Sequence, residues 1–207
     1  MSTTTADVEQ DAVEPEVIEP AKWFRRRPYR WLIEWGLIIL CALSAALLMR
    51  AYVFETFYIP SGSMLPTLQV GDRIIVSKLS VEFGTIHRGD ILVFRRPPLE
   101  ATACGGEQVN DLVKRVIGLP GDRLYSIDNV IYVNGHALAE KWTHTEPLGQ
   151  AIATSQNPVV VPAHSYFMMG DNHSSSCDSR YWGTLQRSYV VGKVILRIWP
   201  LGRFGFL

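Results

Sequence analysis

Cysteine is scarce in this chain and net charge is absent. Outside one apolar run, no stretch of about eleven residues or more keeps a helical period. Each lack excludes something. Equal totals of 20 basic and 20 acidic side chains give no reason to expect a nucleic-acid partner. No spacing of His, Cys or acidic residues matches a zinc or calcium site, and no glycine-rich phosphate loop occurs, so neither metal nor cofactor is expected. The missing helical period argues against a helical bundle. With 207 residues, one domain with appendages is the expected organisation.

The exception to that scarcity is WGLIILCALSAALLM, residues 35–49, which carries no charge. Its apolar character extends from Trp31 to Phe54, with Glu34 and Arg50 near the ends. A bilayer core of roughly 30 Å needs about 20 residues of helix, and side chains at the two ends can snorkel to the interfaces. Residues 31–52 therefore read as a single transmembrane helix. Arg25, Arg26, Arg27 and Arg30 precede it and Arg50 stands at its far end. By the positive-inside rule the N-terminus is cytoplasmic and everything after Arg50 extracytoplasmic. A cleaved secretory signal fits less well, because about 30 mostly polar residues precede the run. A buried helix of a soluble protein fits less well because of the sharp basic boundary. Residues 1–30 read as a cytoplasmic tail that ends in the basic segment. Its first 21 residues contain no aromatic side chain and are expected to be disordered.

Of the three cysteines, Cys41 lies in the apolar run and needs no role beyond that of a small apolar residue. Cys104 and Cys177 fall in the part placed outside the membrane, where disulfides persist. A bridge between them is an expectation that requires their Cα atoms to approach within bridging distance.

Residues 53–207 read as an extracytoplasmic all-β domain. DRIIVSK (72–78), DILVFRR (90–96), DLVKRVIG (111–118) and YVVGKVILRIW (189–199) are rich in branched and aromatic residues. Pro120-Gly121 suits a type II turn, and Asn134-Gly135 after VIYV signals a hairpin. Residues 136–163 read as a small cap or insertion. The apolar C-terminus IWPLGRFGFL reads as a core strand followed by a docked tail, with contact to the outer leaflet as the alternative.

Beside the apolar run stands YIPSGSMLPTL, residues 58–68, with two serines one residue apart between two prolines. Gly62 lets the backbone take a close-approach geometry while Pro60 and Pro66 stiffen the flanks, a way to hold a nucleophile exposed. The same composition also describes an ordinary hydrogen-bonded turn. A nucleophilic serine needs a base and donors for an oxyanion. His87, His136, His144, His164 and His173 are all candidates for the base, and His173 has the most suggestive context. Lys114 is another, flanked by Leu112, Val113, Val116 and Ile117. A lysine with a pKa of about 10.4 is neutral in only about 0.04% of molecules at pH 7, and a desolvated one at about 8 in roughly 10%. Lys114 in a strand also fits a snorkelling surface residue.

The blocks YIPSGSMLPTLQVGDRIIVSK, RGDILVFRRP, LVKRVIGLPGD and MMGDNHSSSCDSRYWG occur in this order. Together they resemble the bacterial type I signal peptidases, membrane-bound serine proteases that remove signal peptides from exported proteins. The resemblance implies a mostly β fold: a single N-terminal transmembrane helix, then antiparallel, partly barrel-like sheets of the signal-peptidase/LexA-like type. It also implies a place in the bacterial plasma membrane. Ser63 would be the nucleophile and Lys114 its general base, with the Ser61 hydroxyl and the Ser63 N–H forming the oxyanion hole. Ser176 would orient the lysine amine, and Asp178 and Arg180 would form a supporting ion pair. Phe57, Ile59, Met64, Leu68, Ile74 and Val113 would wall pockets for small residues at the first and third positions before the cut. The implied partners are signal peptides, bound as an added strand, and the lipid bilayer. Unlike two-span members, the chain shows one anchor before Ser63, and Cys177 stands next to Asp178. A self-cleaving repressor protease is opposed by the anchor. A non-catalytic binding module is opposed by the retention of both Ser63 and Lys114.

Overall fold

The computed structural model describes residues 28–105, 109–143 and 147–207. The expected tail, apart from its last residues, and His144 lie outside the described residues. Contacts divide the chain into two units, 1–43 and 44–207. The helix α1, Pro28–Tyr52, begins in the first and ends in the second. Pro28 suits the first turn of a helix, where its missing N–H costs nothing, and Leu, Ile and Ala continue it. Its 25 residues span about 37 Å, and Tyr29–Leu47 is apolar and long enough to cross a bilayer, with none of it buried inside the protein.

The rest is mostly strand. In chain order follow β1 (Phe54–Tyr58), β2 (Arg73–Ser77), the short helix α2 (Leu79–Glu82), β3 (Ile91–Arg95), α3 (Pro98–Cys104) and β4 (Asp111–Gly118). Then come β5 (Arg123–Ile127), β6 (Val130–Val133), β7 (His136–Ala137), β8 (Val159–Val160), β9 (Ser165–Met169), α4 (Ser179–Trp182), β10 (Leu185–Gln186), β11 (Val190–Trp199) and β12 (Gly205–Phe206). The main sheet runs β1-β2-β11-β3-β4-β9-β10, with β12 paired to β11. A second sheet runs β7-β6-β5-β8, and the strand pairs of both sheets are antiparallel.

Alternation along the strands assigns the cores. Ile59, Met64, Leu68, Ile74, Val76, Ile91, Val93 and Val194 form one cluster, joined by Phe57, Val113 and Val191. Leu92, Phe94, Val116, Tyr166, Met168 and Trp182 form a second on the opposite face of β3 and β4, against α3 and α4. A third cluster, including Ile117, Leu124, Ile131 and Phe167, joins the second sheet to the first. Residues 136–163, expected as a cap, supply β7 and β8 at the two edges of that second sheet.

The turns follow residue chemistry. Asn134 and Gly135 both take positive φ, 53° and 85°, as the tight β6–β7 hairpin requires. Gly121 at φ 88° fits the second central position of a type II turn. The C-terminal tail docks through the backbone, since β12 pairs with Leu196 and Arg197 of β11. Its apolar side chains do not follow, and Phe206 is 85% exposed.

Two strand edges matter for what comes next. β9 pairs with β4 only over Arg115–Gly118, so the edge of Asp111–Lys114 opposite β3 has no strand partner among the described residues. The outer edge of β1 is also open, because β1 pairs with β2 alone. Four antiparallel steps separate β1 from β4, so the two strands point the same way.

Candidate active site

A cavity of about 360 Å³ opens between those two edges. Phe57 and Ile59 line it from the β1 side, Leu112, Val113 and Lys114 from β4, and Ser61, Ser63 and Met64 from the turn after β1. The buried side chains of Met64 and Leu68 pin that turn to the core beneath, and Leu68 N–H donates to the Met64 carbonyl at 2.8 Å. Leu68 and Ile74, expected as pocket wall, stand behind the lining in the core and do not touch the cavity. The Ser61 and Ser63 hydroxyls lie 3.4 Å apart.

The other side of the turn is held by the segment after β9. Asn172 donates its backbone N–H to the Ser63 carbonyl and its side-chain Nδ2 to the Gly62 carbonyl, both at 3.1 Å. A Cβ on Gly170 would fall 2.4 Å from the Ser63 carbonyl oxygen and 2.3 Å from the Ser176 hydroxyl. Only glycine lets the Ser63 turn and the Ser176 loop pack against the same point. The Ser176 hydroxyl is buried and has no hydrogen-bond partner among the described residues. Its neighbours Ser175 and Cys177 line the cavity.

Lys114 is 4% exposed and makes no ion pair with any described residue. Burial pushes its pKa down from 10.5 to about 8. The carboxylates of Asp178 and then Glu100 oppose the shift, Arg180 adds to it and Asp171 opposes it. A lysine in this state is neutral in a useful fraction of molecules near neutral pH.

Asp178 and Arg180 form a buried ion pair at 2.7 Å. The Gly170 N–H donates to Asp178 at 3.1 Å, and Arg180 donates to the carbonyls of His173, Ser176 and Leu148. The pair therefore fixes the backbone on both sides of Ser176. Cys104 of α3 and Cys177 are bridged, with Cα atoms 5.9 Å apart, so the Ser176–Asp178 segment is tied to α3. His87, His136, His164 and His173 do not line the cavity.

Sequence reasoning overlooked four residues. Arg115 is paired in a two-pronged manner with Asp171, at 2.7 and 2.6 Å, and its charge also lies over the Trp142 ring. Gly170 and Asn172 stand in the block MMGDNHSSSCDSRYWG, where the Gly-Asp-Asn string at a strand end is itself a turn signal. Glu100, 6% exposed and paired with Arg96, forms part of the cavity wall. Its position on α3 left no periodic signal because that helix is only seven residues long.

The chain is similar to known proteins over most of its length. A model of the family described as "Signal peptidase, peptidase S26" matches residues 32–199. Signal peptidase I of Leptolyngbya laminosa is 40% identical over 173 residues, covering 83% of this chain and 80% of the relative. A probable signal peptidase I-2 of Synechocystis sp. is 38% identical, covering 92% and 84%. Signal peptidase I of Bacillus caldolyticus is 35% identical, covering 87% and 96%. With that match over most of its length, the chain belongs to the peptidase S26 family of signal peptidases.

Proposed function

We propose that this protein is a membrane-anchored serine endopeptidase that removes signal peptides from exported preproteins, with Ser63 as nucleophile and Lys114 as general base. The observation that carries the reading is Lys114: a buried lysine with its pKa at about 8, without an ion-pair partner among the described residues, in the wall of the cavity that holds Ser63. Neutral Lys114 takes the Ser63 hydroxyl proton as the oxygen attacks the scissile carbonyl. The Ser63 N–H and the Ser61 hydroxyl donate to the oxyanion, and the unpartnered Ser176 hydroxyl orients the amine. The protonated amine then returns its proton to the leaving nitrogen, and water completes hydrolysis of the acyl-enzyme. Apolar walls keep the site dry, which keeps the lysine basicity low.

Substrate binding uses the two open edges. A peptide entering between β1 and β4 with its scissile bond at Ser63 runs parallel to both strands and satisfies its backbone on them. Small residues at the first and third positions before the cut face Ile59, Met64, Phe57 and Val113. Anchoring by α1 brings the enzyme to a substrate that is itself held in the bilayer, and the arginines before α1 orient its N-terminus to the cytoplasm.

Preprotein cleavage by Ser63→Ala and Lys114→Ala beside the parent tests the dyad. Each variant is expected to lose activity by about a thousandfold or more while still inserting into membrane. Robust processing by either one overturns the assignment. For the parent, kcat/KM should fall about tenfold per pH unit below about 8, as Lys114 gains its proton. A profile flat down to pH 5 counts against the base.

A further inference from the structure

Below the cavity, a second groove of about 390 Å³ continues between β1 and β4. The two share Phe57 and Asp111 as walls, so the second adjoins the cavity that holds Ser63. Where the first is largely apolar, the second is charged: Glu55, Lys78, Arg95 and Asp111 all line it.

Strand alternation gives this groove a register. On β1, Glu55 and Phe57 are the inward-facing positions, and Ile59 continues the row. On β4, Asp111 lies on the same face as Val113, and on β3 Arg95 shares the face of Val93 and Ile91. An added strand presents every second side chain to one face, spaced by two residues like the strands beside it. The residue before the cut then meets Ile59, the third meets Phe57 and Val113, and the fifth meets Glu55, Asp111 and Arg95.

The charges there are arranged asymmetrically. Lys78 already pairs with Glu55 at 2.9 Å. Arg95 and Asp111 stand directly opposite each other across β3 and β4, yet no ion pair joins them, and neither has another side-chain partner among the described residues. Their hydrogen-bonding capacity faces the groove.

We propose that this cluster is a specificity subsite for a polar, uncharged side chain at the fifth residue before the cut, with Arg95 donating to it and Asp111 accepting from it. An acidic side chain would meet Glu55 and Asp111, and a basic one Lys78 and Arg95. An apolar side chain would take the exposed Arg95 and the half-buried Asp111 out of water without giving either a partner, which is costly. The inference rests on the protease reading above.

The test uses the full chain in detergent and a panel of signal-peptide substrates with Ala at the first and third positions and Gln, Leu, Glu or Lys at the fifth. Gln is expected to exceed Leu about tenfold in kcat/KM, the size of one hydrogen bond to a charged group. Arg95→Leu should bring that ratio to within about twofold, whereas Arg95→Lys should keep most of it. Equal cleavage of Gln and Leu substrates by the parent, or a ratio unchanged in Arg95→Leu, overturns the subsite. So does a stronger dependence on the fourth position, whose side chain points to the other face. In each of these cases cleavage itself persists and the protease reading stands. Failure to cleave any member of the panel overturns both.

Discussion

Lys114 and Arg115 are neighbours on β4, both cationic and both buried, and the protein treats them in opposite ways. Arg115, 7% exposed, has two oxygens of Asp171, the Gly89 carbonyl, the Thr67 hydroxyl and the face of Trp142. Lys114, 4% exposed and pointing to the other face, has no carboxylate of the described residues within ion-pair distance. Arginine cannot give up its proton in a protein, so full pairing is the only way to bury it, and a paired arginine becomes a strut. Lysine can shed its proton, so leaving it unpaired in an apolar wall lets burial supply a neutral amine that can accept one. One strand thus supplies a fixed charge on one side and a titrating amine on the other. The segment after β9 serves both, with Gly170 packed at the Ser176 side and Asp171 at Arg115.

Removing the strut should cost most. Arg115→Ala leaves Asp171 buried without its counter-charge, and breaking such a pair costs about 3–5 kcal/mol. Chemical denaturation of the detergent-solubilised protein should show that loss, and a loss under 1 kcal/mol would deny Arg115 its role. Lys114 should behave oppositely. Its pKa is 10.5 when unfolded and about 8 when folded, so the unfolded chain binds the extra proton between those values. The penalty on the native state is complete below pH 8 and fades as pH rises to 10.5. Lys114→Met should therefore stabilise the protein by about 3 kcal/mol at pH 7, with the gain vanishing by about pH 10.5, while abolishing cleavage. Equal destabilisation by both substitutions would erase the contrast.

The strand runs with branched residues were legible because alternation and β-branching act locally. β2, β3, β4 and β11 fall within one or two residues of their expected bounds. The Asn134-Gly135 hairpin was legible for the same reason. The long-range partners were not. Nothing in the local sequence says that Asp171 reaches Arg115, 56 positions away, or that Asn172 reaches Gly62, 110 away. The resemblance marked Ser63 and Lys114, but it could not separate Leu68 and Ile74, which pack behind the wall, from Phe57 and Val113, which form it. That distinction depends on which face of a closed cleft each residue meets.

The contrast between the two faces is sharpened most finely at Gly170. Its backbone N–H bonds Asp178 on the Lys114 side, and the next residue bonds Arg115, so the chain crosses between the two systems at one Cα. In Gly170→Ala the new methyl would press on a backbone oxygen of the nucleophile turn and on the Ser176 hydroxyl. The oxygen cannot rotate away, because Asn172 bonds that same carbonyl. Overpacking of this kind costs about 1–3 kcal/mol, less than the loss expected for Arg115→Ala. The displaced atoms belong to the turn that carries the proposed nucleophile, so kcat should fall by about a hundredfold for a displacement near 1 Å. Denaturation and cleavage measured on the same sample separate the two quantities. A variant that loses stability and keeps full kcat would mean that the Ser63 turn adjusts freely, and that the rigidity of the segment after β9 serves Arg115 alone.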